Sequence, residues 1–368
     1  MWRGVPGKYE VSSLGELIRP FVPYKLPPDP PVDISNSRQR LLERALRSLG
    51  RLDSIPLLLP DPDILHYAFV RREAVFSMQI TGNQSSLADL LLFELKEAPG
   101  APCNNVAEVC DCAAALEHGL SRARSGFPVS SKLIREMHQL LLARARRSIT
   151  PGEFRSMQNW VGGTRPSNAH YVPPPSTQVE NCMAALERFV ACSTLIKAGL
   201  AHVQFETIHP FFDGNGRIGR MLVPLLIHPL LYLSLYFRDR QIEYHRLLDL
   251  VRAEGDWESW LDFFLEGVAD TASNAVSTAQ HLAALFKADA ERVQLVGRGA
   301  SSTLRVYEAV CERPVTTLCD LCEMTGLSFP RTTRCIDKLM KLGIIRELSG
   351  GRRNRVFAYD RSLAILDC

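Results

Sequence analysis

Residues 209–220, H-P-F-F-D-G-N-G-R-I-G-R, constrain this chain more than any other stretch. A helical apolar pattern runs through residues 194–208, and proline follows at position 210. Proline disfavours helical backbone in the residue before it, so the helix ends at His209 and the imidazole is held at a bend. Gly214 and Gly216 come next. Lacking Cβ, they let the backbone take positive φ and bring N–H groups close to an anion. A second helix then starts at about Gly216, and its first N–H groups point outward at the positive end of the helix dipole. Arg217 and Arg220 are three apart, so both lean over the same helix end. Such a site suits a polyphosphate. Asp213 is a hard oxygen ligand suited to a Mg²⁺ that bridges phosphates, and His209 is the group there able to take a proton near neutral pH.

The rest of the chain is sized to carry such a site. Its 368 residues correspond to two or three domains. Lys and Arg number 43 against 40 Asp and Glu, a net charge of +3, so any contact with nucleic acid must come from a local patch. The N-terminus has no apolar run of signal-peptide type. The most apolar stretch, residues 221–237, holds Pro224, His228 and Pro229 and reads as a buried helix broken near His228, not as a membrane span. The ten cysteines are irregularly spaced; the pair Cys319 and Cys322 has no second pair at zinc-site spacing, so the thiols read as packing residues in a reducing cytoplasm. The expected location is cytoplasmic.

Residues 1–36 are extended and proline-rich, like a strap on the surface. Helical spacing follows at 38–49, at 71–95 with a turn at Gly82 and Asn83 and Ser85 or Ser86 as N-cap, at 103–119 and at 130–147. Residues 151–175 change character, with Trp160 and Val161, then Gly162 and Gly163, then Tyr171 and Val172, and read as a short β-hairpin. Helices resume over 178–192, 194–208, 243–253 and 257–286. Residues 301–360 read as helix, helix–turn–helix around residues 326–328 and a basic hairpin, the layout of a winged helix. Between residues 331 and 355 eight Lys and Arg stand against Asp337 and Glu347.

The stretch at 209–220 resembles the Fic family motif H-x-F-x-(D/E)-G-N-G-R-x-x-R, matched at His209, Phe211, Asp213, Gly214, Asn215, Gly216, Arg217 and Arg220. The segment GEFRSMQNWVGGTRP is similar to the family's flap, and EGDWESWLDFFLEGV to the helix behind its site. The resemblance implies a mainly α fold: an N-terminal strap and regulatory helical region at 1–100, a Fic helical core at 101–290 with its β-hairpin flap at 151–175, and a C-terminal winged helix-turn-helix domain at 300–368. It also implies protein adenylylation, the transfer of AMP from ATP to a Ser, Thr or Tyr hydroxyl of a target protein or of the chain itself, with release of pyrophosphate. On that reading His209 is the general base and Asp213 holds Mg²⁺ against the phosphates. Gly214, Asn215 and Gly216 line an anion hole, Arg217 assists, and Arg220 takes the γ-phosphate. Ile218 and Gly219 belong to the same nucleotide-binding run, Phe211 anchors the core, and Tyr244 resembles an adenine-pocket aromatic. Gly162, Gly163, Thr164 and Arg165 in the flap would dock the target by strand pairing. The kinase branch of the family replaces Gly-Asn-Gly, which this chain keeps, and retention of His209 disfavours an inactive relic.

One departure stands out. Many relatives carry an inhibitory (S/T)-x-x-x-E-(G/N) whose Glu pairs with the second motif arginine. Here the corresponding residues run from Ser77 to Gly82, with Thr81 in place of Glu. The expectation is that Arg220 stays free and autoinhibition is weak. In the winged-helix region, Arg331, Thr332, Thr333, Arg334 and Lys338 would face outward on the recognition helix, with Arg352, Arg353 and Arg355 on the wing. That module reads as a protein-interaction or homodimer-forming element, or as a DNA-binding one. The alternative to an enzyme is a DNA-binding regulator whose Fic core senses nucleotide. No membrane partner is expected.

Overall fold

The computed structural model describes residues 4–13, 17–55, 63–95, 105–144, 150–349 and 355–367. Its helices, in chain order, are α1 Asn36–Leu52, α2 Asp63–Ile80, α3 Leu87–Glu94, α4 Asn105–Arg124 and α5 Ser131–Leu141. They continue with α6 Ser176–Val190, α7 Leu195–Ile208, α8 Asn215–Leu226, α9 Ser234–Asp239 and α10 Gln241–Glu254. The last are α11 Trp257–Gln294, α12 Ala300–Glu312, α13 Leu318–Thr325, α14 Phe329–Lys341 and α15 Asp360–Asp367. Short strands are β1 Gly7–Tyr9, β2 Ser12–Ser13, β3 Leu17–Ile18, β4 Phe21–Pro23, β5 Val315–Thr317, β6 Arg346–Glu347 and β7 Val356–Ala358. The fold is mainly helical. Two compact units emerge: Met1–Leu49 with Phe76–Gly82 and Asp111–Ala272, and Gly50–Val75 with Asn83–Cys110 and Ser273–Cys368.

In the first unit α7 is the central element. Every residue from Ala198 to Ile208 is buried, the polar His202, Gln204, Glu206 and Thr207 included, so the helix is covered on all sides. α6 and α8 flank it. Trp260 of α11 donates its indole N–H to the Gly199 carbonyl at 2.8 Å and stacks on His202. Phe237, Tyr244 and Phe263 extend this aromatic cluster. The N-terminal strap pairs β1 with β4 antiparallel, Lys8 opposite Val22, and Phe21 N–H donates to the Val172 carbonyl at 2.8 Å. The expected flap hairpin takes a narrower form: one antiparallel bridge, Val161 with Tyr171, around a 3₁₀ turn at Pro166–Asn168.

In the second unit the order α12, β5, α13, α14, β6, β7 builds a three-stranded antiparallel sheet arranged β5-β7-β6, with two helices joined at Gly326. Thr317 caps α13 in a reciprocal box with Asp320, and Gly326 ends it in left-handed conformation. β5 and α15 had no clear signal in the sequence. The wing residues Arg352 and Arg353 lie outside the described residues; Arg355 pairs with Glu347 at 2.7 Å. A buried carboxylate, Asp289, accepts from Tyr359 Oη at 2.7 Å and pairs with Arg292 and Arg361. α3 starts with Ser86 as N-cap, in a box with Asp89. Among the described residues no helix is long and apolar enough to cross a membrane, and the described cysteines are free thiols.

Candidate active site

His209 sits where the sequence puts the bend, immediately after α7, with φ 49 and ψ 59. It is the one non-glycine residue with positive φ among those described. Left-handed backbone costs an L-residue about 1–2 kcal/mol, so the surroundings must hold it there. They do so through the last carbonyls of α7. Arg252 donates to Glu206 O at 3.2 Å and Tyr171 Oη to Thr207 O at 2.7 Å. Arg155 donates to His209 O at 2.9 Å and reaches Ile208 O at 3.5 Å. Helix C-terminal carbonyls have no partner within the helix and carry the negative end of the dipole, so two guanidinium groups suit them. Arg155 also donates to Met157 O and Pro174 O, and its own N–H donates to Pro210 O. This one side chain, 2% exposed, therefore ties both legs of the flap to the backbone of the histidine. Burial lowers its pKa to about 10.

The imidazole itself is only partly covered, but Nδ1 is enclosed and has no hydrogen-bond partner. Burial, then the fields of Arg252 and Arg155, lower its pKa to about 3, with the Glu206 backbone and Asp213 opposing. The ring is a neutral base at any physiological pH.

The loop after it is fixed by side chains that bond its backbone. Asn215 accepts from Phe211 N–H at 2.9 Å and donates to Phe211 O at 2.8 Å. Asn159 of the flap donates to the same carbonyl at 2.9 Å. The Phe211 ring is fully buried and stacks on His138 of α5, centroids 3.7 Å apart. His138 accepts the Gly152 N–H on Nδ1 at 2.8 Å, so its proton is on Nε2, which donates to Asp213 O at 3.1 Å. Burial lowers its pKa to about 4, and it stays in this neutral tautomer.

α8 opens at Asn215 with Gly214 as a left-handed cap, φ 78, which has no side chain to cap the first-turn N–H groups. A Cβ on Gly216 would lie 3.1 Å from Arg220 Nη1, so glycine there leaves space for the guanidinium. Asp213 accepts from the Gly214 N–H at 2.6 Å and pairs with Arg217 at 3.0 Å, all on Oδ1. Its side chain is 55% exposed, which leaves a carboxylate oxygen facing outward at the helix start.

Arg220 is not free. Its Nε donates to Ser77 Oγ and its Nη2 to Ser77 O, both at 2.9 Å, and it is buried. The last turn of α2 therefore reaches the motif, as the resemblance implied, but with a neutral hydroxyl and a carbonyl where a carboxylate was missed. Arg217 Nη1 meets Met78 Sδ at 3.9 Å. The turn is anchored by Arg238 to Gln79 at 2.7 Å and by Gln241 to Ile80 O at 2.9 Å. Thr81 is exposed and donates to Met78 O, capping its own helix, and Gly82 follows with φ 95.

Three expected nucleotide-binding residues are placed elsewhere. Ile218 is wholly in the core, and Gly219 O accepts from His202 Nδ1–H at 3.0 Å beneath α8. Tyr244 is 1% exposed, stacked on Phe237, with its hydroxyl donating to His202 Nε2 at 2.9 Å, so no ring face is left for a base. These residues support α8 from below. In the flap, Gly162 and Gly163 have positive φ, but the N–H groups of Thr164 and Arg165 donate to Asn168 Oδ1 at 3.0 Å. Strand pairing by a target would have to replace those two bonds.

Arg155, Arg252, His138 and Glu206 carry no site signal in the sequence, and Tyr171 reads there only as part of the hairpin. His138 stands out only as a histidine on the apolar stripe of Ile134, Met137 and Leu141. Glu206 does so as a carboxylate on a largely apolar helix: burial raises its pKa, Arg220 and Arg252 oppose, and Oε1 has no partner.

Two family models match the chain: Fic/DOC family N-terminal over residues 39–121 and Fic/DOC family over residues 128–227. The chain carries a Fic/DOC family domain. Protein adenylyltransferase Fic from Drosophila yakuba is 29% identical over 243 residues, 62% of this chain and 47% of that one. The Drosophila melanogaster protein of the same name is 28% identical over the same shares. The chain spans about half the length of the curated relatives it matches. Among solved structures, a Fic family protein from Desulfovibrio desulfuricans superposes with TM-score 0.57 at 23% identity, covering 89% of this chain and 97% of that one. Fic-1 from C. elegans superposes with TM-score 0.52 at 21% identity, covering 67% and 72%. These structures share the fold.

Proposed function

We propose that this Fic protein transfers AMP from ATP to a hydroxyl side chain of a target protein and releases pyrophosphate. The observation that carries the reading is the left-handed, neutral His209 that leads into the glycine-capped first turn of α8, with Arg217 and Arg220 on the same helix end. The names of the Drosophila relatives support it.

The triphosphate would lie across the N–H groups of Asn215, Gly216 and Arg217, where helix dipole and backbone donors favour an anion. The Asn215 side chain is spent on Phe211, so only its backbone is available. His209 takes the proton of the target hydroxyl as that oxygen attacks the α-phosphorus, and the bond to the bridging oxygen of pyrophosphate breaks. Arg217 and the α8 N–H groups stabilise the charge that develops there. Among the described residues no cluster of three or more His, Cys, Asp or Glu could hold a metal by itself. A Mg²⁺ shared with substrate phosphates needs only one or two carboxylates, and Asp213, with an outward oxygen at the helix start, fits that need. When bound, the ion neutralises phosphate charge. The Gly-Asn-Gly stretch favours this reading over phosphoryl transfer.

Arg220 would take the γ-phosphate only by leaving Ser77. The Ser77 acceptors are neutral oxygens, whereas a phosphate adds the attraction of opposite charges, so ATP competes well for it. We therefore read the α2 turn as a weak brake. Thr81→Glu would restore a charged one and lower labelling.

The test uses the full chain with Mg²⁺ and ATP labelled at the α or at the γ position, beside His209→Ala. Label from the α position alone, lost in the variant, is the expected result. Label from γ alone makes the protein a kinase, and α label that survives in His209→Ala removes the proposed base. A nucleotide sensor without turnover gives no label from either position.

A further inference from the structure

α14 carries a surface that adenylyl transfer does not use. The helix buries Thr332, Cys335, Ile336 and Leu339 against its module. Its other side presents Arg331, Arg334, Lys338 and Lys341, spaced three, four and three, which is one stripe along a helix. Arg331, Arg334 and Lys341 are exposed and Lys338 is half-buried. The backbone orients two of them: Arg334 Nε donates to Pro330 O at 3.1 Å and Lys338 Nζ to Arg298 O at 2.6 Å. None of the four forms an ion pair with a described residue, whereas their neighbours on the sheet and α15 do. Arg346 pairs with Asp360, Arg355 with Glu347, and Arg361 with Asp289. Asp337 is the one carboxylate on this side of α14, and its field falls on Arg355.

We propose that α14 binds duplex DNA, lying in the major groove with Arg331 and Arg334 toward base edges and Lys338 and Lys341 toward phosphates. The ten steps from Arg331 to Lys341 extend about 15 Å along the axis, and a helix about 10–12 Å across fits a groove about 12 Å wide. In helix-turn-helix modules the N-terminal half of the second helix reaches the bases, and here that half carries the two guanidinium forks. An acidic protein is the other polyanionic partner. Protein interfaces, however, are depleted of lysine and of charge at their centres, while DNA interfaces are strongly positive. This stripe is charged along its length, and the exposed large apolar side chain of the helix, Phe329, sits at its start.

The test measures anisotropy of a fluorescein-labelled 30-bp random-sequence duplex with the full chain at 50 and 200 mM KCl. Two phosphate contacts, at Lys338 and Lys341, give a log–log salt slope of about −1.8, a roughly tenfold weakening between those salts. The triple variant Arg331→Ala, Arg334→Ala, Lys341→Ala touches no core residue, and far-UV circular dichroism verifies its fold. It should bind at least about tenfold more weakly at 50 mM and bring the slope to about −1. His209→Ala should bind like the parent. No binding at 50 mM KCl, or binding untouched by the triple variant, overturns the proposal. Displacement of the duplex by polyglutamate at equal charge concentration also overturns it, in favour of an acidic protein partner.

Discussion

Arg155→Met tests how the flap and His209, the proposed base, are coupled. The guanidinium makes three close charge-assisted bonds, to His209 O at 2.9 Å, Pro174 O at 2.5 Å and Met157 O at 3.3 Å. At about 1.5–3 kcal/mol each, their loss costs about 5–9 kcal/mol. Against this stands the burial of the charge. A pKa lowered to about 10 from 12.5 corresponds to about 3 kcal/mol of disfavoured charge, which methionine relieves. The net expectation is a loss of about 2–6 kcal/mol of stability, read as a lower urea midpoint. The consequence for turnover is more specific. Without the cap on its carbonyl, His209 can leave the left-handed conformation, and a displacement of about 1 Å at a reacting group costs on the order of a hundredfold in rate. Arg155 touches neither α8 nor Arg220, so the KM for ATP should change by no more than about twofold while kcat for α-label transfer falls about a hundredfold. Assays run well below the variant's melting temperature, beside Arg155→Lys, which keeps the charge and should recover part of kcat. An unchanged kcat in folded Arg155→Met, or a loss confined to KM, refutes the coupling.

Ser77→Ala removes the hydroxyl that holds Arg220 Nε but leaves the carbonyl bond, so ATP should bind about two- to fivefold more tightly by calorimetry, and α-label transfer at low ATP should rise. Gly219→Ala would place a Cβ 2.5 Å from Glu206 Oε1, in a packed interior; the melting temperature should drop by the equivalent of about 1–3 kcal/mol. His202 has a pKa lowered to about 3 by burial. The unfolded chain takes its proton near pH 6.5 and the folded chain does not, so between about pH 6.5 and 3 the unfolded state binds more protons and stability falls as pH falls. Urea midpoints measured from pH 7 to 4 should decline, and His202→Gln should make the decline shallower by one proton.

The site was legible in the sequence because its signals are local. Pro210 after a helical run, two glycines and two arginines at helical spacing placed the bend, the cap and the anion-binding helix end within a few residues. The caps on α7 were not legible. Arg155 and Tyr171 come from the flap and Arg252 from α10, and no spacing rule connects them to Ile208 or His209. Tyr244 misled for the opposite reason: an aromatic downstream of the motif marks a base pocket only if one face is open, and exposure is a property of packing. Thr81 in place of Glu suggests a free Arg220, but it does not reveal that Ser77, one helical turn earlier, supplies two acceptors to Arg220. In the C-terminal module the two helices around residues 326–328 are legible, whereas β5 is only three residues long and gains its identity from pairing with β7.

The most direct test of the central claim is a crystal structure of the full chain with Mg²⁺ and α,β-methylene ATP, which keeps the reacting bond intact. The account predicts the triphosphate along the first turn of α8, Arg220 released from Ser77 onto the γ-phosphate, and His209 facing the α-phosphorus with space for an incoming hydroxyl. Nucleotide bound elsewhere with the Arg220–Ser77 bonds intact, or an imidazole turned away from the α-phosphorus, would contradict it.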